Sequence, residues 1–194
     1  LRCAILTRGY KTQPDRVSDE PALLATECPD TAVVVNPDRA AGAAKAIQEY
    51  GAQVLVLDDG FQHRRLARDL DIVAIDATLP FGYGRLLPAG LLREPITGLK
   101  RAQAVVMTRC DQVAEDALLR IEERIRRVDP QLVVARSVHA PTGVKTADGK
   151  HLAPEGIRGR RVFAFSGVGN PQSFRRTVEG LGGIVTGTQV FDDH

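Results

Sequence analysis

The chain has 194 residues, enough for one domain with a full core, or one domain and part of another. Hydrophobic residues make up 43% and charged residues 26%, with a formal net charge of +2, which excludes a disordered chain and gives no basis for nucleic acid as the main partner. No apolar run approaches the roughly 20 residues that a membrane-spanning helix needs, and the chain opens on no signal-peptide pattern.

Residues 1–7 read as a strand from the start, and Leu1 is not an initiator, so the chain is expected to be a piece of a longer protein. Short apolar runs at residues 3–6, 32–35, 54–57, 72–75, 104–107, 132–135, 162–165 and 184–186 predict strands. Several are apolar throughout, the pattern of strands covered on both faces. Asn36 and Pro37 predict a capped helix that ends near Gly51. From Asp116 to Val128, the residues Leu118, Ile121, Ile125 and Val128 share one helical face, and Glu122–Arg126 and Glu123–Arg127 are spaced to pair on the other. Asn170-Pro171 opens a further helix ending around Gly180–Gly182. Strand–helix alternation predicts an α/β fold with a mainly parallel sheet flanked by helices. The stretch from His139 to Arg160 is rich in Gly, Pro and charge, and its Asp148-Gly149 predicts a hairpin between Gly143 and Leu152. The domains expected are therefore a core over 1–140, a hairpin linker over 141–160 and the start of a second, smaller α/β unit over 161–194.

Cys3, Cys28 and Cys110 are far apart and odd in number, so no disulfide framework follows. They fit a reducing, cytosolic setting and read as small buried hydrophobes.

The chemistry starts at Val54-Leu55-Val56-Leu57-Asp58-Asp59, where an apolar strand, expected to be central in its sheet, ends in two carboxylates. Ligands of open parallel sheets bind at that edge, and a carboxylate there suits Mg²⁺ beside nucleotide phosphates. A capped strand end has the same look. Gly60-Phe61-Gln62-His63 follows directly, and Gly82-Tyr83-Gly84-Arg85-Leu86-Leu87-Pro88-Ala89-Gly90-Leu91-Leu92-Arg93-Glu94-Pro95 comes downstream. Arg8-Gly9-Tyr10 and Ser18-Asp19-Glu20-Pro21 lie upstream, and Phe191-Asp192-Asp193-His194 ends the chain.

In this order these segments resemble the tetraacyldisaccharide 4'-kinase family, the lipid A 4'-kinases of Gram-negative bacteria. The resemblance implies a P-loop NTPase-like core joined by a two-stranded linker to a smaller α/β domain. It implies transfer of the γ-phosphate of ATP, with Mg²⁺, to the 4'-hydroxyl of a tetraacylated glucosamine disaccharide 1-phosphate, at the cytoplasmic face of the inner membrane. Asp58 and Asp59 match the family's Mg²⁺ carboxylates, and Gln62 and His63 match the polar residues beside them. Asp19 matches a proposed catalytic base, and His194 matches its partner. In the loop from Gly82 to Pro95, Leu86 and Leu87 are expected to meet acyl chains and Arg85 and Arg93 the 1-phosphate or anionic headgroups.

One departure bears on activity. The phosphate-gripping pattern G-x-x-x-x-G-K-[ST] is absent; Gly149-Lys150 is followed by His151. In the family that loop precedes the strand at residues 1–7, so the activity is expected of the longer parent protein and not of these residues alone. Thr108-Arg109-Cys110-Asp111 loosely matches the base-reading motif of GTPases, with Arg where Lys is usual. Phe165-Ser166-Gly167-Val168-Gly169-Asn170-Pro171 is a Gly-x-Gly turn, read first as a tight turn and second as a phosphate site. The other readings are a P-loop-class regulatory ATPase or GTPase, and a non-catalytic nucleotide-binding module.

Overall fold

A computed structural model describes residues 1–9 and 19–191 and divides the chain into two compact units, Leu1–Asp71 and Ile72–His194. Tyr10 and the Asp192-Asp193-His194 end, and the expectations placed on them, lie outside the described residues.

In the first unit the elements run β1 (Cys3–Thr7), α1 (Asp19–Glu27), β2 (Ala32–Val35), α2 (Arg39–Tyr50) and β3 (Val54–Leu57). The three strands are parallel in the order β2-β1-β3, with Ala4 level with both Ala32 and Leu55. Ala4 and Leu6 point to one face and meet Val34, Ala43 and Ala46. Small residues on α2 let the helix lie close to the sheet; a Cβ on Gly42 would come 3.2 Å from the Asn36 Cβ.

Three expectations are corrected here. The helix is capped by Asp38, not Asn36: Asp38 Oδ1 accepts from the amides of Ala40 (2.9 Å) and Ala41 (3.2 Å). Asn36 instead accepts from the Asp38 amide at 2.9 Å, a turn that sets up the cap. The strand β3 is at the edge of this unit's sheet, not its centre, because β1 takes the middle by pairing on both sides. It is also covered on one face only, since Val54 and Val56 are exposed while Leu55 and Leu57 face the core. The predicted stop at Gly51 holds, with the glycine in the left-handed region at φ 60°.

The second unit contains β4 (Ile72–Asp76), β5 (Ala104–Thr108), α3 (Glu115–Val128) and β6 (Val133–Arg136), then β7 (Val144–Lys145), β8 (His151–Leu152), β9 (Arg161–Ser166), α4 (Pro171–Gly180) and β10 (Ile184–Val190). Strands β4, β5 and β6 form a parallel sheet in that order, and β9 and β10 a separate parallel pair. The expected hairpin is present as β7–β8, with the Gly149 amide donating to the Thr146 carbonyl at 2.9 Å. Leu118, Ile121 and Ile125 of α3 are buried as their spacing predicts. Glu123 pairs with Arg127 at 2.6 Å, but Glu122 turns to Arg136 at 2.6 Å and not to Arg126. Arg136 also reaches Glu115 at 2.8 Å, and one guanidinium fork serving two carboxylates competes well with a lone helix pair. Of the cysteines only Cys110 is buried, against the expectation for all three; Cys3, which opens β1, and Cys28, just past α1, are half-buried.

Asn170 caps α4 as expected, accepting from the Ser173 amide at 3.0 Å. Its side-chain oxygen thereby fills the helix N-terminus, which favours the tight-turn reading of the Gly-x-Gly segment. Around it runs a polar network at the carboxyl ends of β4 and β5. The Arg109 guanidinium pairs with Asp76 and donates to the Ser173 hydroxyl at 3.0 Å. Gln112 donates to the same hydroxyl at 2.9 Å, and Thr78 donates to Asp76 at 2.7 Å. Arg109 itself is held at φ 57°, a left-handed conformation uncommon for its type.

Burial pushes the Asp76 carboxyl up, but the Thr78 hydroxyl and amide, Arg109 and Asn170 outweigh it and hold the group below its ordinary value. A carboxyl lowered on folding adds stability that is present above its unfolded value, near pH 4, and is lost as the pH falls through the folded one. Asp76→Asn is expected to cost about 1–3 kcal/mol at pH 7, and the gap to the parent should narrow in acid. Urea unfolding at pH 7 and at pH 3 measures this; equal gaps at both would show that the charge is not what Asp76 contributes.

Candidate functional site

Parallel pairing puts the carboxyl ends of β1, β2 and β3 at one edge, and the site is built there. The ladder runs one residue past β3, with the Asp58 amide donating to the Leu6 carbonyl at 3.0 Å. Asp59 then turns into the left-handed region at φ 48°. Gly60 is buried over the strand it follows, where a Cβ would lie 2.6 Å from the Leu57 Cβ, so no other residue fits without movement. The His63 amide closes the turn on the Gly60 carbonyl at 2.9 Å. One tight turn thus carries Asp58, Asp59, Gln62 and His63.

Arg68 locks the far side of this loop. It donates to the carbonyls of His63 and Leu66, and forks onto Asp71 at 2.6 and 3.1 Å.

The sequence reading missed Arg39. It is the first residue of α2 and only 4% exposed. Its Nη2 donates to the Asp58 carbonyl at 2.9 Å, while Nη1 is buried with no hydrogen-bond partner. Burial pulls the guanidinium below its ordinary value, opposed first by the charge of Asp58 and then by that of Asp59. His63 Nε2 is likewise buried with no hydrogen-bond partner. The available signal was topological: a helix that follows a parallel strand begins at the same edge where the carboxylates end β3.

Asp58 and Asp59 offer hard oxygen donors. Among the described residues no group of three or more His, Cys, Asp and Glu is arranged for a metal. That is no obstacle for Mg²⁺, which is usually held by one or two carboxylates together with waters and substrate phosphates. The donor chemistry fits a cation with its anionic ligand.

The residues predicted to meet lipid share a loop in the second unit. Phe81, Gly82, Tyr83 and Gly84 all have positive φ, and Phe81 is buried with the Arg124 guanidinium 4.7 Å from its ring centre. The Leu91 amide donates to the Gly82 carbonyl and the Leu92 amide to the Arg85 carbonyl, at 3.0 and 3.1 Å. Gly90 is required where the loop crosses itself, since a Cβ would lie 2.3 Å from the Arg85 carbonyl oxygen. Held this way, the loop leaves Tyr83, Leu86, Leu87 and Leu91 exposed, together with Arg85 and Arg93. Arg109 of the GTPase-like segment is committed to the Asp76–Ser173 network. The side chain of Asp19, the first residue of α1, and all of His194 lie outside the described residues, so their pairing does too.

Comparison with known proteins identifies the family. Residues 1–194 match the family described as Tetraacyldisaccharide-1-P 4'-kinase. The chain is 44% identical over 212 aligned residues to a tetraacyldisaccharide 4'-kinase of Anaeromyxobacter sp. (strain Fw109-5), covering 100% of this chain and 56% of that protein. It is 38% identical to the enzyme of that name from Syntrophotalea carbinolica, covering 100% of this chain and 52% of the relative. Among solved structures it resembles LpxK from Aquifex aeolicus, an "apo" form in complex with ATP, with a TM-score of 0.67 and 30% identity. That match covers 100% of this chain and 62% of the other. The chain spans about half the length of the curated relatives it matches. With the family matched along its whole length, the chain belongs to the tetraacyldisaccharide 4'-kinase family.

Proposed function

We propose that the protein containing this chain transfers the γ-phosphate of ATP to the 4'-hydroxyl of a tetraacyldisaccharide 1-phosphate, a step of lipid A biosynthesis. The observation that carries this reading is the turn after β3, where two carboxylates and a buried arginine converge at the ligand-binding edge of a parallel sheet. Family membership, and the ATP complex of the structural relative, support it. Asp58 and Asp59 would hold Mg²⁺, and Gln62 and His63 the polar surroundings of the nucleotide. When bound, Mg²⁺ offsets charge on the phosphate oxygens, which suits a reaction that depends on placement and electrostatics.

Asp19 is assigned as the base and His194 as the group that orients it, both from the family pattern. A sugar hydroxyl is too weak an acid to ionise in advance, so the base accepts its proton late in the transfer. The imidazole works best neutral, because a protonated ring would lower the pKa of the carboxylate it holds.

The acceptor is a lipid, and the loop over 82–95 suits one. Its exposed leucines stand on a backbone already fixed by its own hydrogen bonds, so contact with acyl chains costs little further ordering. Arg85 and Arg93 add charge complementary to a 1-phosphate or an anionic headgroup. Work at the cytoplasmic face of the inner membrane of a Gram-negative bacterium follows from that substrate. Among the described residues no helix is long and apolar enough to cross a membrane. The domain layout we propose is a kinase core over 1–140, a linker over 141–160 that includes β7–β8, and part of a further α/β domain from 161.

Two measurements test these roles in the full-length protein. Asp19→Ala is expected to lower kcat about 100- to 10,000-fold with little change in ATP affinity, read by lipid phosphorylation and by nucleotide titration; near-normal turnover would remove Asp19 from the chemistry. Arg85→Ala should raise KM for the lipid about tenfold or more, the effect of one charge-assisted contact, and leave KM for ATP near its parent value. Equal changes in both constants would instead mark the loop as structural.

A further inference from the structure

Helix α3 carries arginines at positions 120, 124, 126 and 127. Arg120 pairs with Asp116 at 2.7 Å and Arg127 with Glu123 at 2.6 Å. The sequence offers Arg124 no such partner. The positions three and four residues away on either side hold Arg120, Ile121, Arg127 and Val128, and Glu122 is taken by Arg136. Glu94, the one carboxylate of the loop over 82–95, is forked by Arg101 at 2.9 and 3.0 Å. Like charges at helical spacing oppose a further cation, so Arg124 has reason to swing into water. Instead its guanidinium lies over Phe81, 4.7 Å from the ring centre. A Cβ on Gly84 would meet its Nη2 at 3.6 Å, so the cation rests against the chain just before Arg85.

A stacked guanidinium is held through its face, and its in-plane N–H donors stay available. Phe81 is buried, and the backbone from Phe81 to Gly84 is fixed in the left-handed region, so the cation is placed before any ligand arrives. Arg124 itself is exposed. Among the described residues no carboxylate pairs with it, and the loop it leans on shows arginines and leucines together. An anion carried on an apolar molecule matches that surface. We propose that Arg124 binds a phosphate oxygen of a lipid through the N–H edge of its stacked guanidinium, and so extends the lipid-facing surface from the loop onto α3. This rests on reading the loop over 82–95 as lipid-facing. The phosphate is the acceptor's own or that of a neighbouring anionic headgroup, and the two sources separate by experiment.

The test uses full-length protein carrying Arg124→Gln, with Arg124→Lys to restore the charge and circular dichroism to establish folding. Affinity in neutral-detergent micelles is measured for the acceptor and for the same lipid lacking its 1-phosphate, by competition where the lipid is not turned over. Binding is also measured to phosphatidylcholine vesicles with and without phosphatidylglycerol. If the acceptor supplies the phosphate, Arg124→Gln weakens binding of the intact acceptor about tenfold, the loss of one charge-assisted contact, and leaves the dephosphorylated lipid and KM for ATP within about twofold. Arg124→Lys then recovers much of the loss. If a headgroup supplies it, the micelle affinities hold and binding to the phosphatidylglycerol vesicles falls about fivefold. An equal loss for both lipids would make Arg124 a structural prop and overturn the proposal, as would no change in either assay. Arg85→Ala, run in parallel, tells this failure from failure of the loop reading. Lipid binding that responds to Arg85→Ala and not to Arg124→Gln misassigns Arg124 alone, whereas indifference to both removes the loop reading and this proposal with it.

Discussion

The pairing of β1 with both β2 and β3, all in one direction, is the constraint on which the rest of the first unit depends. It sends three strand ends and the start of α2 to one edge. Without it, Asp58 and Arg39, 19 residues apart, would have no reason to meet. A buried guanidinium is costly to desolvate, and here the cost is offset only in part by a backbone carbonyl and two nearby carboxylate charges. The same geometry explains the backbone after the strand. The chain must reverse within a residue or two of the edge, which forces a left-handed Asp59 and leaves room only for glycine at position 60.

The second unit repeats this arrangement with other residues. Strands β4 and β5 end together, and Asp76 and Arg109 meet across their ends much as Asp58 and Arg39 meet across the first sheet and its helix. The difference lies in the number of partners. Arg109 bonds both Asp76 and Ser173, and Ser173 accepts from Gln112 as well. That network ties α4 to the sheet. Arg39 leaves one buried nitrogen without a hydrogen-bond partner.

Much of this was legible in advance, for identifiable reasons. Apolar runs located every long strand, because burial against a helix selects Val, Ile, Leu and Ala at each inward position. The strands ran on past their apolar stretches into Thr7, Asp76 and Thr108, since the parallel ladder needs backbone groups and not apolar side chains. The turn Asp58–His63 and the loop at 82–95 were legible as motifs. What escaped was set by partners distant in sequence. Asp38 took the cap from Asn36 because the preceding turn moved the helix start. Glu122 left its helical partner for Arg136, 14 residues away. Arg39 looks like an ordinary first-turn residue until β3 is set beside β1.

Three arginines stabilise strand ends or the loops that leave them: Arg39 at β3, Arg68 across the turn that follows it, and Arg109 at β5. Each bonds at least one backbone or side-chain group that precedes or follows a sharp reversal. Lysine would serve poorly at Arg68 and Arg109, because each spans two acceptors at once with little loss of side-chain entropy. Such fixing would matter most under the proposed function. Phosphoryl transfer is promoted chiefly by groups already in place when charge moves. A carboxylate pair on a loose loop would have to reorganise on each turnover. Clamped by Arg39 at one end and closed by Arg68 at the other, the turn after β3 carries Asp58 and Asp59 on backbone that the fold has already ordered.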